Sequence, residues 1–251
     1  MSGHSKWKTI KRKKGAADAK RGAIFTRLTR EIVMAAREGG SDPESNFRLR
    51  LALDKARAEN MPKDNIERGI RRGSGEDKEG IVFEQITYEG FAPHGVAVMI
   101  ECVTDNRNRT VSDLRHALTK AGGNLGEVGS VGRQFDRVAY FSLPSRMLNY
   151  DKAFELGIEV GATDVVDDNG TIEIISPVDT FKEIADRLHA AGVQPEEAGL
   201  RMIPKQEVEL GVEQTIQVMR ALEAIEELDD VQNVFSNLKV SEEAVAALEA
   251  A

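Results

Sequence analysis

The chain has 251 residues, 41% of them hydrophobic and 30% charged, so it can build more than one packed core and is not a disordered polyampholyte. One cysteine, Cys102, excludes an intrachain disulfide framework and a thiolate zinc site, and no run approaches the ~18 apolar residues needed to span a bilayer. The formal net charge of −8 hides a division: residues 1–80 hold 20 Lys and Arg against 12 Asp and Glu, whereas the remaining 171 hold 14 against 30.

The first segment, MSGHSKWKTIKRKKGAADAKRG, places Lys6, Lys8, Lys11, Arg12, Lys13, Lys14, Lys20 and Arg21 around His4 and the single tryptophan, Trp7. Gly3, Gly15 and Gly22 interrupt any helix, so a mobile basic arm is expected. Cations at this density suit a polyanion: six to ten phosphate contacts release enough counterion to lose roughly 10³–10⁵ in affinity between 50 and 200 mM salt. Trp7 has two readings, stacking on an unpaired base or anchoring the arm to the protein.

Residues 23–38 then read as a helix, with Phe25, Leu28, Ile32, Ala35 and Ala36 on one face and Lys20, Arg27, Arg30 and Arg37 on the other. A second helix is expected from Pro43, capped by Asp42, with Phe47, Leu51, Ala52 and Ala56 inward. A third follows Pro62 and stops at Gly73, and GSGEDKEG reads as a linker closing a helical bundle over residues 1–80.

The texture then changes to strands. FEQITYEG and GVAVMIECVTD flank the turn FAPHG, and TVSDLRHALTKAGG is a helix whose Thr110 and Asp113 resemble a capping box. GGNLGEVGSVG reads as a flexible connection between domains, with a backbone cradle for phosphate as the alternative. Residues 136–204 give strand, helix, strand, Asn169-Gly170 turn, strand, helix, strand, the ferredoxin-like order. The tail at 205–240 completes the sheet begun at 81–135. The expected architecture is therefore α+β: a helical bundle, a discontinuous α/β domain over 81–135 and 205–240, and an inserted ferredoxin-like α/β domain over 136–204.

No catalytic constellation emerges. His4, His94, His116 and His189 lie in separate segments without metal-ligand spacing, and no nucleotide loop or nucleophile elbow is present. The reading is a non-enzyme with no metal and no cofactor. Arg107 and Arg109 in TDNRNRT precede a helix, which is either an anion site or a capped turn carrying two exposed arginines.

The motifs SGHSKWKTIKRKKGAADAKRG, AAREGGSDPESN, NMPKDNIERGI, ITYEGFAPHGVAVMIECVTDNRNRTVSDLRHA and GGNLGEVGSV, in this order, resemble the YebC/PmpR family. The family includes mitochondrial translational activators of cytochrome oxidase. The resemblance covers the chain and is densest through residue 135. It implies three domains around a cleft and a gene-expression role without enzymatic activity, either on DNA as a transcriptional regulator or at the ribosome, aiding elongation through stretches such as consecutive prolines. With the basic arm, the basic face of the first helix and the DNRNRT motif taken together, the expected nucleic-acid contacts are His4, Lys6, Trp7, Lys8, Lys11, Arg12, Lys13, Lys14, Lys20, Arg21, Arg27, Arg30, Arg107 and Arg109. The expected protein is a cytoplasmic monomer whose partner is rRNA in the ribosome, with promoter DNA as the alternative, and no membrane. Three departures stand out: Phe47 where the family often has proline, FAPHG in place of a glycine-rich YGPGG, and Gly132-Arg133-Gln134 in place of apolar residues.

Overall fold

The computed structural model describes residues 18–76, 83–168 and 170–249. The expectations for the basic arm through residue 17, for residues 77–80 of the linker, for residues 81 and 82 of the following domain and for Asn169 lie outside them. The chain forms two compact units, one spanning Phe135–Ile203 and the other built from the sequence before and after it. The architecture is α+β.

In the larger unit, α1 (Asp18–Gly39), α2 (Phe47–Ala58) and α3 (Lys63–Ser74) pack as a bundle. Leu28, Ile32, Ala35 and Ala36 of α1 meet Leu49, Leu53 and Ala56 of α2 and Ile66 of α3. The start of α2 differs from expectation. Asp42 accepts from the Glu44 amide in a turn, and Asn46 is the N-cap, accepting from the Leu49 amide at 3.0 Å. Buried Asn46 also donates to the carbonyls of Ala35 and Gly40, tying the end of α1 to the start of α2. This rotates α2 so that Leu49 and Leu53, not Phe47 and Leu51, fill the core.

Gly73 is likewise not a stop signal. The helix runs on to Ser74 and Gly75 takes the left-handed cap, φ +80°. Gly69 and Gly73 serve close approach instead: a Cβ at Gly73 would lie 2.5 Å from the Val33 carbonyl oxygen and 2.6 Å from the Ala36 Cβ.

The same unit holds a sheet of order β3-β1-β2-β9, with β1 (Glu84–Phe91), β2 (Ala97–Thr104), β3 (Asn124–Leu125) and β9 (Val231–Ser236). Helices α4 (Arg107–Ala121) and α7 (Val212–Glu226) cover it. Val98, Ile100 and Cys102 of β2 pack with Leu114 and Leu118 of α4 and Met219 and Leu222 of α7. Burial pushes the Cys102 thiol up to about 12, with the charge of Asp230 adding to it, so it is held as a thiol. In the FAPHG turn His94 adopts φ +63°, a conformation that suits glycine, and its Nε2 lies 2.8 Å from Gln217 Oε1. A short parallel pair, β8 (Val208–Glu209) with β10 (Leu238–Lys239), and α8 (Glu242–Glu249) close the unit.

The smaller unit has sheet order β5-β6-β4-β7, from β4 (Phe135–Pro144), β5 (Asp164–Asp168), β6 (Thr171–Ser176) and β7 (Glu197–Pro204), with α5 (Tyr150–Val160) and α6 (Phe181–Ala190) as crossovers. That is the ferredoxin-like strand order. Phe141 stacks on Phe181, ring centroids 5.0 Å apart, among Leu143, Ile172, Ile174, Ile184 and Leu188. Tyr140 and Glu173 are also buried, the phenol donating to the carboxylate at 2.7 Å, and the Arg201 guanidinium lies 3.6 Å from the Tyr140 ring centre. Among the described residues, no helix is long and apolar enough to cross a membrane.

Candidate nucleic-acid interface

The sequence-predicted contacts divide into three groups. His4, Lys6, Trp7, Lys8, Lys11, Arg12, Lys13 and Lys14 lie outside the described residues. Lys20 and Arg21 fall in the first turn of α1, and half-buried Arg27 follows two turns later. The remaining three, Arg30, Arg107 and Arg109, are engaged with the protein's own carboxylates.

Arg30 is not on a solvated stripe. It is 8% exposed, pairs with Asp230 at 2.8 Å, donates to the Asp229 carbonyl, and lies over the Phe83 ring at 5.6 Å. The reason is positional: α1 turns this flank toward the start of β9, where the chain between α7 and β9 brings in an acidic pair. Asp230 is the hub. Its carboxylate, 4% exposed, also accepts from Arg109 at 2.8 and 3.0 Å and from the hydroxyls of Thr110 and Thr104 at 2.7 and 3.1 Å. Burial raises its pKa, but the Arg109 and Thr110 hydrogen bonds and the Arg30 charge outweigh that, and the net shift is downward.

The DNRNRT stretch therefore opens α4 differently from a Thr110 cap. Asn106 is the N-cap, accepting from the Arg109 amide at 3.1 Å, and Thr110 turns its hydroxyl to Asp230. Arg109 is shared between Asp230 and Asp105, which raises its pKa through both hydrogen bonds. Arg107 forms a two-pronged pair with Glu84 at 2.6 and 2.5 Å; the hydrogen bond lowers the Glu84 pKa and raises that of Arg107.

Next to this cluster lies a crevice of ≈ 830 Å³ between the bundle and the sheet. One wall carries Thr26, Thr29, Asn65, Arg68 and Arg72; the other carries Asp105, Asp113, Glu227 and Asp229. Carboxylates on one side repel a phosphate chain that the arginines on the other would attract. Exposed Arg68 and Arg71 were not among the expected contacts. The signal was present as RGIRRG, whose 3.6-residue spacing sends the arginines outward while Ile66 and Gly69 turn inward.

The glycine-rich stretch is neither a loose connection nor an open phosphate cradle. The amides of Gly129, Val131 and Gly132 donate to the Glu89 carboxylate at 2.8, 2.7 and 2.8 Å. An internal carboxylate occupies the nest. Burial raises the Glu89 pKa, and the three amide bonds more than reverse this. Among the described residues, no group of three or more His, Cys, Asp or Glu is placed to hold a metal ion.

Known proteins place this geometry in context. The model for the TACO1/YebC N-terminal domain matches residues 5–76, and that for the TACO1/YebC second and third domain matches residues 83–238. A probable transcriptional regulatory protein of Geotalea uraniireducens is 52% identical over 243 residues, 97% of this chain and 98% of the relative. Another, from Acidithiobacillus ferrooxidans, is 50% identical over 250 residues, 100% of this chain and 99% of the relative. The crystal structure of the conserved hypothetical protein Aq1575 from Aquifex aeolicus superposes with a TM-score of 0.79 at 44% identity, covering 90% of this chain and 93% of that one. With both family models matched in order and relatives aligned end to end, the chain belongs to the TACO1/YebC family.

Proposed function

We propose that this protein is a non-enzymatic, nucleic-acid-binding regulator of gene expression that acts on the ribosome, its basic arm entering an rRNA crevice to aid elongation. The observation that carries this reading is the distribution of usable positive charge. Eight Lys and Arg fall within residues 1–22, while three of the four candidate arginines farther along the chain, Arg30, Arg107 and Arg109, are committed to Asp230, Glu84 and Asp105. Arg68 and Arg71 of α3 add exposed positive charge to the first domain of the sequence. A cationic arm on a chain whose overall net charge is nevertheless −8 suits insertion into a structured crevice better than lying along a duplex, which would bring the acidic remainder against phosphates.

A second reading, a DNA-binding transcriptional regulator, is favoured by the names of the relatives, each called a probable transcriptional regulatory protein. The two separate in one experiment. The intact chain and a 15–251 truncation are sedimented with purified ribosomes at about 50 and about 200 mM salt, with promoter-length duplex DNA as competitor. Saturable ribosome binding that needs residues 1–14 and survives excess DNA supports the translation reading. Release from ribosomes to DNA at equal phosphate concentration supports the transcriptional one.

A further inference from the structure

Helix α5 buries Ala153, Gly157 and Val160 but leaves Tyr150, Phe154 and Ile158, one turn apart, 39%, 44% and 66% exposed. Tyr150 and Phe154 stack with ring centroids 5.7 Å apart, so their rings form one continuous apolar surface. Its direction follows from its neighbours. Glu159 reaches Arg187 of α6, and Gly157 sits against Val165 of β5, where an added Cβ would lie 2.6 Å from the Val165 side chain. The stripe therefore occupies the flank of α5 turned away from α6, above β5. Among the described residues β5 pairs with β6 alone, so its other edge presents unpaired backbone groups beside the stripe.

We propose that this flank of α5 and the free edge of β5 form a docking shelf for an extended, Lys/Arg-rich segment of a partner protein, which adds a strand to β5 and lays its apolar side chains on Tyr150, Phe154 and Ile158. Charge complementarity selects the occupant. Exposed Asp151, Glu155, Asp164 and Asp167 rim the shelf, and residues 135–203 hold 13 Asp and Glu against 6 Lys and Arg. A second copy on a two-fold axis would set this acidic rim against itself, and nucleic acid or an anionic membrane would meet like charge. The acidic edge guards against self-pairing and admits a basic strand. The inference goes beyond the nucleic-acid reading and stands without it: the acidic smaller unit takes a polycation.

The probe is a fluorescein-labelled nine-residue peptide of alternating valine and lysine, titrated into the full-length protein by anisotropy, with hydrogen exchange followed in parallel. Saturable binding is expected, with slowed exchange at the Val165–Asp167 amides and no binding of a valine–glutamate peptide. The double substitution Phe154→Asp with Ile158→Asp is expected to weaken binding at least tenfold, and so is Asp164→Lys, which leaves the apolar stripe intact. All three positions are exposed, and an unchanged thermal melt verifies each fold. The proposal is overturned by an absence of saturable binding, by equal affinity in the double variant, or by protection elsewhere. A dimer that Ile158→Asp dissolves, or binding that first requires removal of residues 1–17, overturns it equally, since another occupant then holds the shelf.

Discussion

Arg30 and Asp230 meet at 2.8 Å with side chains only 9% and 5% exposed, and they join the first helix of the bundle to the strand that closes the sheet. Asp230 holds Arg109, Thr104 and Thr110 at the same time. A buried ion pair of this kind adds little net stability over an apolar contact, but removing one member leaves the other buried without compensation, at a cost of about 3–5 kcal/mol. Asp230→Ala is therefore expected to lower the unfolding free energy by about that amount, measured by urea denaturation at neutral pH. Arg107→Ala, whose pair with Glu84 is exposed, should leave the midpoint in place; equal losses in the two variants would sink the assignment of Asp230 as the hub.

The same hub predicts an acid dependence. The pKa of Asp230 is lowered in the folded state, so its ionised form favours folding. That contribution is fully present above the unfolded-state value of about 3.9 and is lost as pH falls through the lower folded value. Stability of the native chain should decline below about pH 4, and Asp230→Asn should flatten that limb while lowering stability at neutral pH. An acid limb unchanged in Asp230→Asn would assign it to other carboxylates.

Much of the fold was legible in the sequence because the periodicities are strong. The apolar row of α1, the alternation in β1 and the strand–helix order of the smaller unit all follow from spacing. Local sequence leaves a helix start ambiguous where two capping residues compete. Asp42 and Asn46 are both good N-caps, and Asn46 prevails because its amide also satisfies the carbonyls of Ala35 and Gly40, a tertiary bond that local sequence does not encode. Thr110 yields to Asn106 because its hydroxyl is taken by Asp230, far along the chain. The candidate site was legible as charge but not as availability. Nothing local tells Arg30, which is buried, from Arg27, which is half-buried, since the distinction lies in the acidic Asp229-Asp230 pair.

Gly73 tests how closely α1 and α3 must approach. A methyl group there would meet the Val33 carbonyl oxygen at 2.5 Å, and backbone cannot swing aside as a side chain tip can. Gly73→Ala is expected to spread the two helices and cost about 1–3 kcal/mol, despite the higher helix propensity of alanine. Faster hydrogen exchange in α1 and α3, with the sheet of the same unit unchanged, would locate the damage. A variant as stable as the parent would mean that the helices are free to slide apart.

Glu89 predicts a loop whose order depends on one carboxylate. Its three amide donors are satisfied while it is ionised. Because its pKa is lowered, the bonds persist through the ordinary carboxylate range near 4.3 and fail as pH falls through the lower folded value. Glu89→Ala should release the Gly129, Val131 and Gly132 amides to rapid exchange at neutral pH. Glu89→Gln, which keeps an acceptor without the charge, should give intermediate protection. If the amides stay protected in Glu89→Ala, the loop is held by its own turns.

The α3 arginines separate surface charge from buried charge in binding. Arg68→Ala and Arg71→Ala remove exposed cations, so if they touch phosphate each should weaken polyanion binding at every sequence alike. Each should also reduce the slope of log affinity against log salt by roughly one. Arg30→Ala removes a cation already neutralised by Asp230, and its effect should be on stability, with the salt slope intact. Affinity measured against salt for the three variants decides this, at a temperature where all are folded. A reduced slope in Arg30→Ala alone would mean that the bundle parts from Asp230 when the polyanion binds, and that the hub, rather than the outer face of α3, supplies the contact.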